Sequence, residues 1–316
     1  MKTRILATLL AAVLLLGAAG CGTMGHSRGL RIVTTIFPIY DWVRAVLGEE
    51  SEAELVWLMD GGVDLHSYQA TAEDLAMISG CDVFICVGGA SDAWADAALA
   101  QAKNKNMVVV KLMDVLGGSV RLEELTEGME ADGDGEPEYD EHIWLSVENA
   151  RVVTAYLAAL LGGIDEKHAQ TYLDNAAAYD DALMLLDASY LSAVREADTK
   201  TLVFGDRYPF RYLADDYGLR CYAAFPGCSA ETEASFETVL FLAEKVDELG
   251  LPAVMALEGS DHRIAQTVAD TADSDPVVLT LDSMQSVTAA DAAGGVTYLT
   301  VMEENLAVLR QALTLG

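Results

Sequence analysis

Short β-rich runs alternate with longer helical stretches twice along this chain, and one long helical stretch separates the two series. The first series has strand-like runs at 30–35, 55–58, 83–87 and 107–112, with helical stretches at 40–47, 72–78 and 93–102 between them. The second has runs at 201–204, 220–224, 253–257 and 277–281, with helices near 210–217, 233–249, 261–272 and 302–313. Strand and helix in strict alternation imply βαβ units and a mainly parallel sheet. Between the series, a helix is expected over 147–161 and another over 165–197, where Tyr172, Ala176, Tyr179, Leu183, Leu186, Tyr190 and Val194 recur every three or four residues. At 1.5 Å per residue the second helix would be nearly ~50 Å long. The expectation is an α/β protein of two similar lobes, each a mainly parallel sheet flanked by helices, joined by one long rigid helix. The N-terminal lobe spans 30–163, the connecting helix 164–198 and the C-terminal lobe 199–316.

The start of the chain points to its compartment. Lys2 and Arg4 precede an apolar run from Ile5 to Leu16, then Gly17, Ala18, Ala19, Gly20 and Cys21. A basic start, a short apolar stretch and small residues make a secretory signal over 1–20. The run is too short for a membrane span, which needs about 20 residues. A cysteine directly after small residues looks like a bacterial lipoprotein processing site. Cys21 would then carry the lipid, and 21–29 would be a tether to the membrane. Removing the signal would leave 296 of 316 residues, enough for two cores.

The formal charge of −31 excludes nucleic acid and anionic membrane surfaces as partners. For cations it is a background, since such attraction is weak and unselective. Much of it is concentrated at 123–141, an acidic, glycine-containing segment expected to be a loop. Beyond Cys21 the cysteines are Cys81, Cys86, Cys221 and Cys228. An exported protein permits disulfides. Pro226 and Gly227 would let the chain fold back between Cys221 and Cys228, the better candidate pair. With no C-x-x-C spacing, a four-cysteine zinc site is not expected.

Five histidines remain: His26 in the tether, His168 and His262 in charged surroundings that read as surface, and His66 and His142. His66 lies in a loop that follows a strand, where open α/β sheets form their ligand crevice. His142 lies where the acidic segment gives way to a helix. Asp64 and Asp140 each stand two residues before a histidine, placed to orient its ring.

Taken in order, these residues resemble the metal-binding solute-binding proteins of bacterial ABC transporters, the group that carries zinc and manganese. The resemblance begins at Ile32-Val33-Thr34-Thr35-Ile36-Phe37-Pro38-Ile39-Tyr40 and continues with Asp64-Leu65-His66-Ser67-Tyr68 and Glu141-His142-Ile143-Trp144-Leu145. In the second half, Tyr212-Leu213-Ala214-Asp215-Asp216-Tyr217-Gly218-Leu219 and Leu279-Thr280-Leu281-Asp282 complete it. It implies His66 and His142 as metal ligands from the first lobe and Asp282 as a carboxylate ligand from the second. The family's third ligand falls at Arg207, and a guanidinium cannot bind a cation. Asp206 is the nearest substitute.

Two imidazoles and two carboxylates suit Zn²⁺ first and Mn²⁺ second. The implied role is capture of a divalent metal by a lipid-anchored, extracytoplasmic monomer that delivers it to an ABC permease, with affinity falling as pH drops through about 6. An adhesin-like lipoprotein with a structural metal is the alternative. No H-E-x-x-H or G-x-S-x-G is present to suggest an enzyme.

Overall fold

The computed structural model describes residues 29–49, 51–129, 138–229 and 233–314. The signal, Cys21, His26 and the centre of the acidic segment lie outside them. Eight strands form where the apolar runs fall. Strands β1 (Arg31–Thr34), β2 (Glu54–Trp57), β3 (Val83–Cys86) and β4 (Val108–Lys111) make one wholly parallel sheet in the order β2-β1-β3-β4. Every residue of β3 is buried, as a central strand covered on both faces requires. Strands β5 (Thr201–Tyr208), β6 (Arg220–Pro226), β7 (Ala253–Leu257) and β8 (Val277–Leu281) make a second parallel sheet in the order β6-β5-β7-β8. The two sheets therefore share one topology. In each, the crossovers change direction beside the first strand, which opens a crevice at the carboxyl ends of the strands.

Strand β5 outruns the expected 201–204 because its pairing with β6 slips between Phe204 and Arg207. An irregularity of this kind re-aims side chains, and here it falls on Asp206 and Arg207.

The helices are α1 (Phe37–Leu47), α2 (Ala72–Gly80), α3 (Ala93–Ala100), α4 (Leu112–Leu116), α5 (Val147–Ile164), α6 (Ala169–Glu196), α7 (Arg211–Tyr217), α8 (Phe236–Leu249), α9 (Arg263–Thr271), α10 (Ala289–Ala293) and α11 (Tyr298–Ala312). Their starts are chemically marked. Thr71 with Asp74 and Thr288 with Asp291 form capping boxes, and Ser146 caps α5. Helix α6 has 28 residues, about 42 Å of length. It begins four residues later than expected because Asp165 Oδ2 accepts from both His168 Nδ1 and Tyr172 Oη, which holds 165–168 as a turn.

One hydrophobic cluster runs through both halves and includes Trp42, Trp144, Tyr172, Tyr190, Phe204 and Tyr298. Polar contacts at its centre join distant segments. Tyr298 N–H donates to Asp41 (2.8 Å) and its hydroxyl to the Trp144 carbonyl (2.8 Å), while Trp144 Nε1 donates to the Ser283 carbonyl (2.8 Å). Tyr190 of α6 donates to the Met302 carbonyl of α11 at 2.6 Å. The sheets are thus fused through a common interior, and α6 is one wall of it.

The expected Cys221–Cys228 disulfide is not formed; Cys81, Cys86, Cys221 and Cys228 are free thiols. The reason is strand β6. Cys221 is near its start and Cys228 lies just past its end, so the extended backbone between them spans roughly 20 Å. A disulfide needs Cα atoms within about 7 Å.

Candidate metal centre

The same local device positions both central histidines. Asp64 Oδ1 accepts the main-chain N–H of His66 at 2.9 Å and starts a short 3-10 turn, Leu65–Ser67. Asp140 Oδ1 accepts the main-chain N–H of His142 at 2.8 Å, just before the 3-10 turn Ile143–Leu145. The two aspartates then diverge. Asp140 also accepts from His142 Nδ1 at 2.9 Å and fixes the ring. Asp64 instead turns its other oxygen to Arg207 of β5, in a 2.8 Å ion pair across the crevice. The His66 ring is set by Ser91 Oγ, 2.8 Å from its Nδ1, and by Glu141 Oε2 at 3.5 Å.

These partners decide where the ring protons sit. Nδ1 of His142 faces the Asp140 carboxylate and donates to it, whereas Nδ1 of His66 faces the Ser91 hydroxyl, which can accept or donate. The two Nε2 atoms face each other at 3.1 Å, and when both Nδ1 atoms carry the ring protons each Nε2 presents a lone pair to the other. Two lone pairs at that distance repel unless a cation lies between them. Two nitrogens bound to one tetrahedral Zn²⁺ lie about 3.3 Å apart, so the pair is already spaced to chelate.

The third member of the cluster is Cys228. Its Sγ and the two imidazoles offer ligand atoms that all lie within 4.8 Å of one another. Sequence reasoning missed this residue, since an isolated cysteine beyond a Pro-Gly pair carries no metal-binding spacing. It also missed Glu141, which is 2% exposed. Glu141 Oε1 accepts the Ser91 N–H (2.8 Å), while Oε2 has no hydrogen bond among the described residues. Gly89 is required here, because a β-carbon would strike the Glu141 carboxylate.

Of the other expected ligands, Asp206 lies inside β5 at its irregularity and Asp282 directly follows β8, and each accepts main-chain N–H groups. Asp206 accepts the main-chain N–H groups of Arg207 (2.9 Å) and Leu257 (3.2 Å). Asp282 Oδ1 accepts the Met284 N–H at 2.6 Å. Glu258 holds the same turn through Ser283 and Gln285. Asp206, Arg207, Glu258 and His66 line a cavity of about 740 Å³ between the sheets. His262, read from sequence as a surface residue, also lines it, with Nε2 on the Leu257 carbonyl at 3.1 Å.

Burial, and then the neighbouring His142, push the His66 imidazole down to about 3. A proton on His66 therefore competes little with a metal near pH 6. An unfolded imidazole protonates near pH 6.5, so acidification below that value removes stability through His66. Asp92 and Asp216, pushed up to about 6 by burial, act with the opposite sign. So does Glu258, pushed up to about 7 by burial and Asp282. Each binds a proton in the folded chain before the unfolded one does, so stability grows as pH falls through its value. Three carboxyls outweigh one imidazole by roughly 2 kcal/mol. The thermal midpoint of metal-free protein is expected to rise by about 2–5 °C from pH 8 to 5.5, as read by circular dichroism. A steady fall over that range would contradict this balance.

Residues 32–312 match the family described as ZnuA, zinc-uptake complex component A, periplasmic. The chain is similar to the zinc-binding lipoprotein AdcA of Streptococcus pneumoniae, with 30% identity over 311 residues, 96% of this chain. It spans only 60% of that relative's length. It is 26% identical over 315 residues to the high-affinity zinc uptake system protein ZnuA of Bacillus subtilis, covering 96% of each. Among solved structures, the Zn(II)-bound ZnuA-like domain of S. pneumoniae AdcA aligns with a TM-score of 0.71 at 28% identity, over 90% of this chain and 99% of that one.

Proposed function

The chain belongs to the zinc-uptake complex component A family, and from that membership we propose that it captures a divalent cation outside the cytoplasm, zinc ahead of manganese, and hands it to an ABC permease. The observation that carries the reading is the pair of Nε2 atoms of His66 and His142, 3.1 Å apart and walled by Asp140 and Glu141. Such a pair is a chelate waiting for a cation. Asp206 and Asp282 enter the proposal as second-sheet carboxylates that balance the ion's charge from within β5 and from directly after β8.

Residues 1–20 act as the secretory signal in this reading, Cys21 carries the lipid, and 21–29 tether a monomer to the membrane. The lobes are 30–163 and 199–316, with 164–198 connecting them. The ion is cargo, and the protein does no chemistry on it. Among the described residues no helix is long and apolar enough to cross a membrane. The common core favours ordering of loops around the ion over a wide hinge motion.

The test is metal retention. Mature protein is stripped, offered equal Zn²⁺, Mn²⁺ and Fe²⁺, dialysed and analysed, beside His66→Ala. One equivalent of zinc is expected in the wild type and under a tenth of an equivalent in the variant. No stoichiometric metal in the wild type would end this reading.

A further inference from the structure

We infer that Cys228 is a direct ligand of the captured ion, its Sγ joining the Nε2 atoms of His66 and His142 as the donor supplied by the second half of the chain. The inference rests on the metal-capture reading and makes it specific.

The geometry is close to closed. In a tetrahedral zinc site with Zn–N near 2.05 Å and Zn–S near 2.3 Å, nitrogen and sulfur lie about 3.6 Å apart. The three donor atoms already lie within 4.8 Å of one another, so a side-chain adjustment of about 1 Å completes the set.

The backbone is built to deliver this side chain. Cys228 follows Gly227 just past β6. A β-carbon on Gly227 would sit 2.8 Å from the Tyr208 carbonyl oxygen and 3.0 Å from Cε1 of His142. Only a residue without a side chain lets the strand pass flush against the His142 ring and present the next residue beside it. The Cys228 main-chain N–H is then held by Glu123 Oε1 at 3.0 Å, a carboxylate from the first half of the chain.

A second observation points to a cation at this spot. The Glu141 carboxylate is buried beside the cluster, and its Oε2 has no hydrogen bond among the described residues. That oxygen faces the His66 ring at 3.5 Å. A carboxylate in that position is offset by positive charge reaching the imidazole from the other side.

The remaining described cysteines are buried elsewhere. Cys86 lies in β3, Cys221 in β6, and Cys81 donates to the Ile78 carbonyl at 3.2 Å. When Cys228 binds, its S–H bond is replaced by a sulfur–metal bond and the proton leaves to water. A thiolate favours zinc over manganese, since manganese prefers oxygen donors. Cys228 would thus supply, through sulfur, the zinc preference that is lost with Arg207 at the family's third position.

The test uses Co²⁺ as a spectroscopic probe of the mature chain. Wild-type protein with one Co²⁺ should show the near-ultraviolet sulfur-to-cobalt charge-transfer band, Cys81→Ser should keep it, and Cys228→Ser should lose it. In Cys228→Ser, zinc affinity should fall at least ~100-fold and the zinc-over-manganese preference at least ~10-fold. Zinc binding by the wild type at pH 8 should also release one proton to the buffer, from the Cys228 thiol, a readout that stands if the variant fails to fold. Stoichiometric, His66-dependent cobalt without the band, or stoichiometric zinc bound at pH 8 without proton release, would overturn the inference and leave metal capture intact. Failure of wild-type protein to retain any metal would remove both.

Discussion

Substituting His142 by alanine is expected to abolish zinc retention and to lower the stability of the metal-free protein by about 3–4 kcal/mol. The side chain is fully buried. Its Nδ1 donates to Asp140, and its ring packs on Trp144 and His66 with centroids 5.2 and 5.0 Å away. Truncation leaves a cavity and takes from Asp140, itself 1% exposed, one of the two donors that satisfy it. His66 is the useful contrast. It is less buried and faces the crevice, so His66→Ala should lose the metal while changing apo stability by under ~1.5 kcal/mol. Urea unfolding of both apo variants, with zinc retention measured alongside, separates the roles. An apo His142→Ala protein within about 1 kcal/mol of wild type would show that the ring is not part of the fold's support.

Trp144→Ala should be costlier still, about 4–5 kcal/mol. The indole is 1% exposed and its Nε1 donates to the Ser283 carbonyl in the turn after β8. The carbonyl of the same residue accepts the Tyr298 hydroxyl at the start of α11. Removal therefore opens a large cavity and also strands the Ser283 oxygen between the two halves. Trp144→Phe keeps most of the packing and drops the donor, so it should cost about 1–2 kcal/mol. Denaturant midpoints with unchanged m-values would confirm that both variants act on the native state. Equal losses in the two variants would mean that the hydrogen bond, not the ring, is what matters.

Much of the architecture was legible because its strands are buried on both faces and read as unbroken apolar runs, as in 83–87 and 253–257. The first-sheet histidines were legible for a local reason. An aspartate two residues ahead caps the histidine's own N–H, so the motif carries its geometry with it. What stayed hidden depends on long-range approach. Nothing near Cys228 signals that Gly227 lies against a ring 85 positions earlier in the chain. The disulfide expectation failed because Pro226 and Gly227 end a strand instead of folding it back. Asp282 directly follows β8 as expected, whereas Asp206 lies inside β5, and the main-chain N–H groups that engage the two carboxylates come from Arg207, Leu257 and Met284. The start of α6 shifted because a histidine–aspartate–tyrosine contact outcompeted helix propagation.

The shared interior of the two sheets has a consequence for how the molecule fails. Because Trp42, Trp144, Tyr190 and Phe204 belong to one cluster, neither half can open fully without exposing apolar surface of the other. The halves form a single cooperative unit, and damage in either is shared by both. A protease would find no intermediate-sized fragment to release, only intact protein or a chain opened from end to end. For a molecule that works, as proposed, beyond the reach of cytoplasmic chaperones, that is an all-or-nothing lifetime. Loss would follow the rate of global opening, and a bound ion would lengthen that lifetime by making the opening rarer.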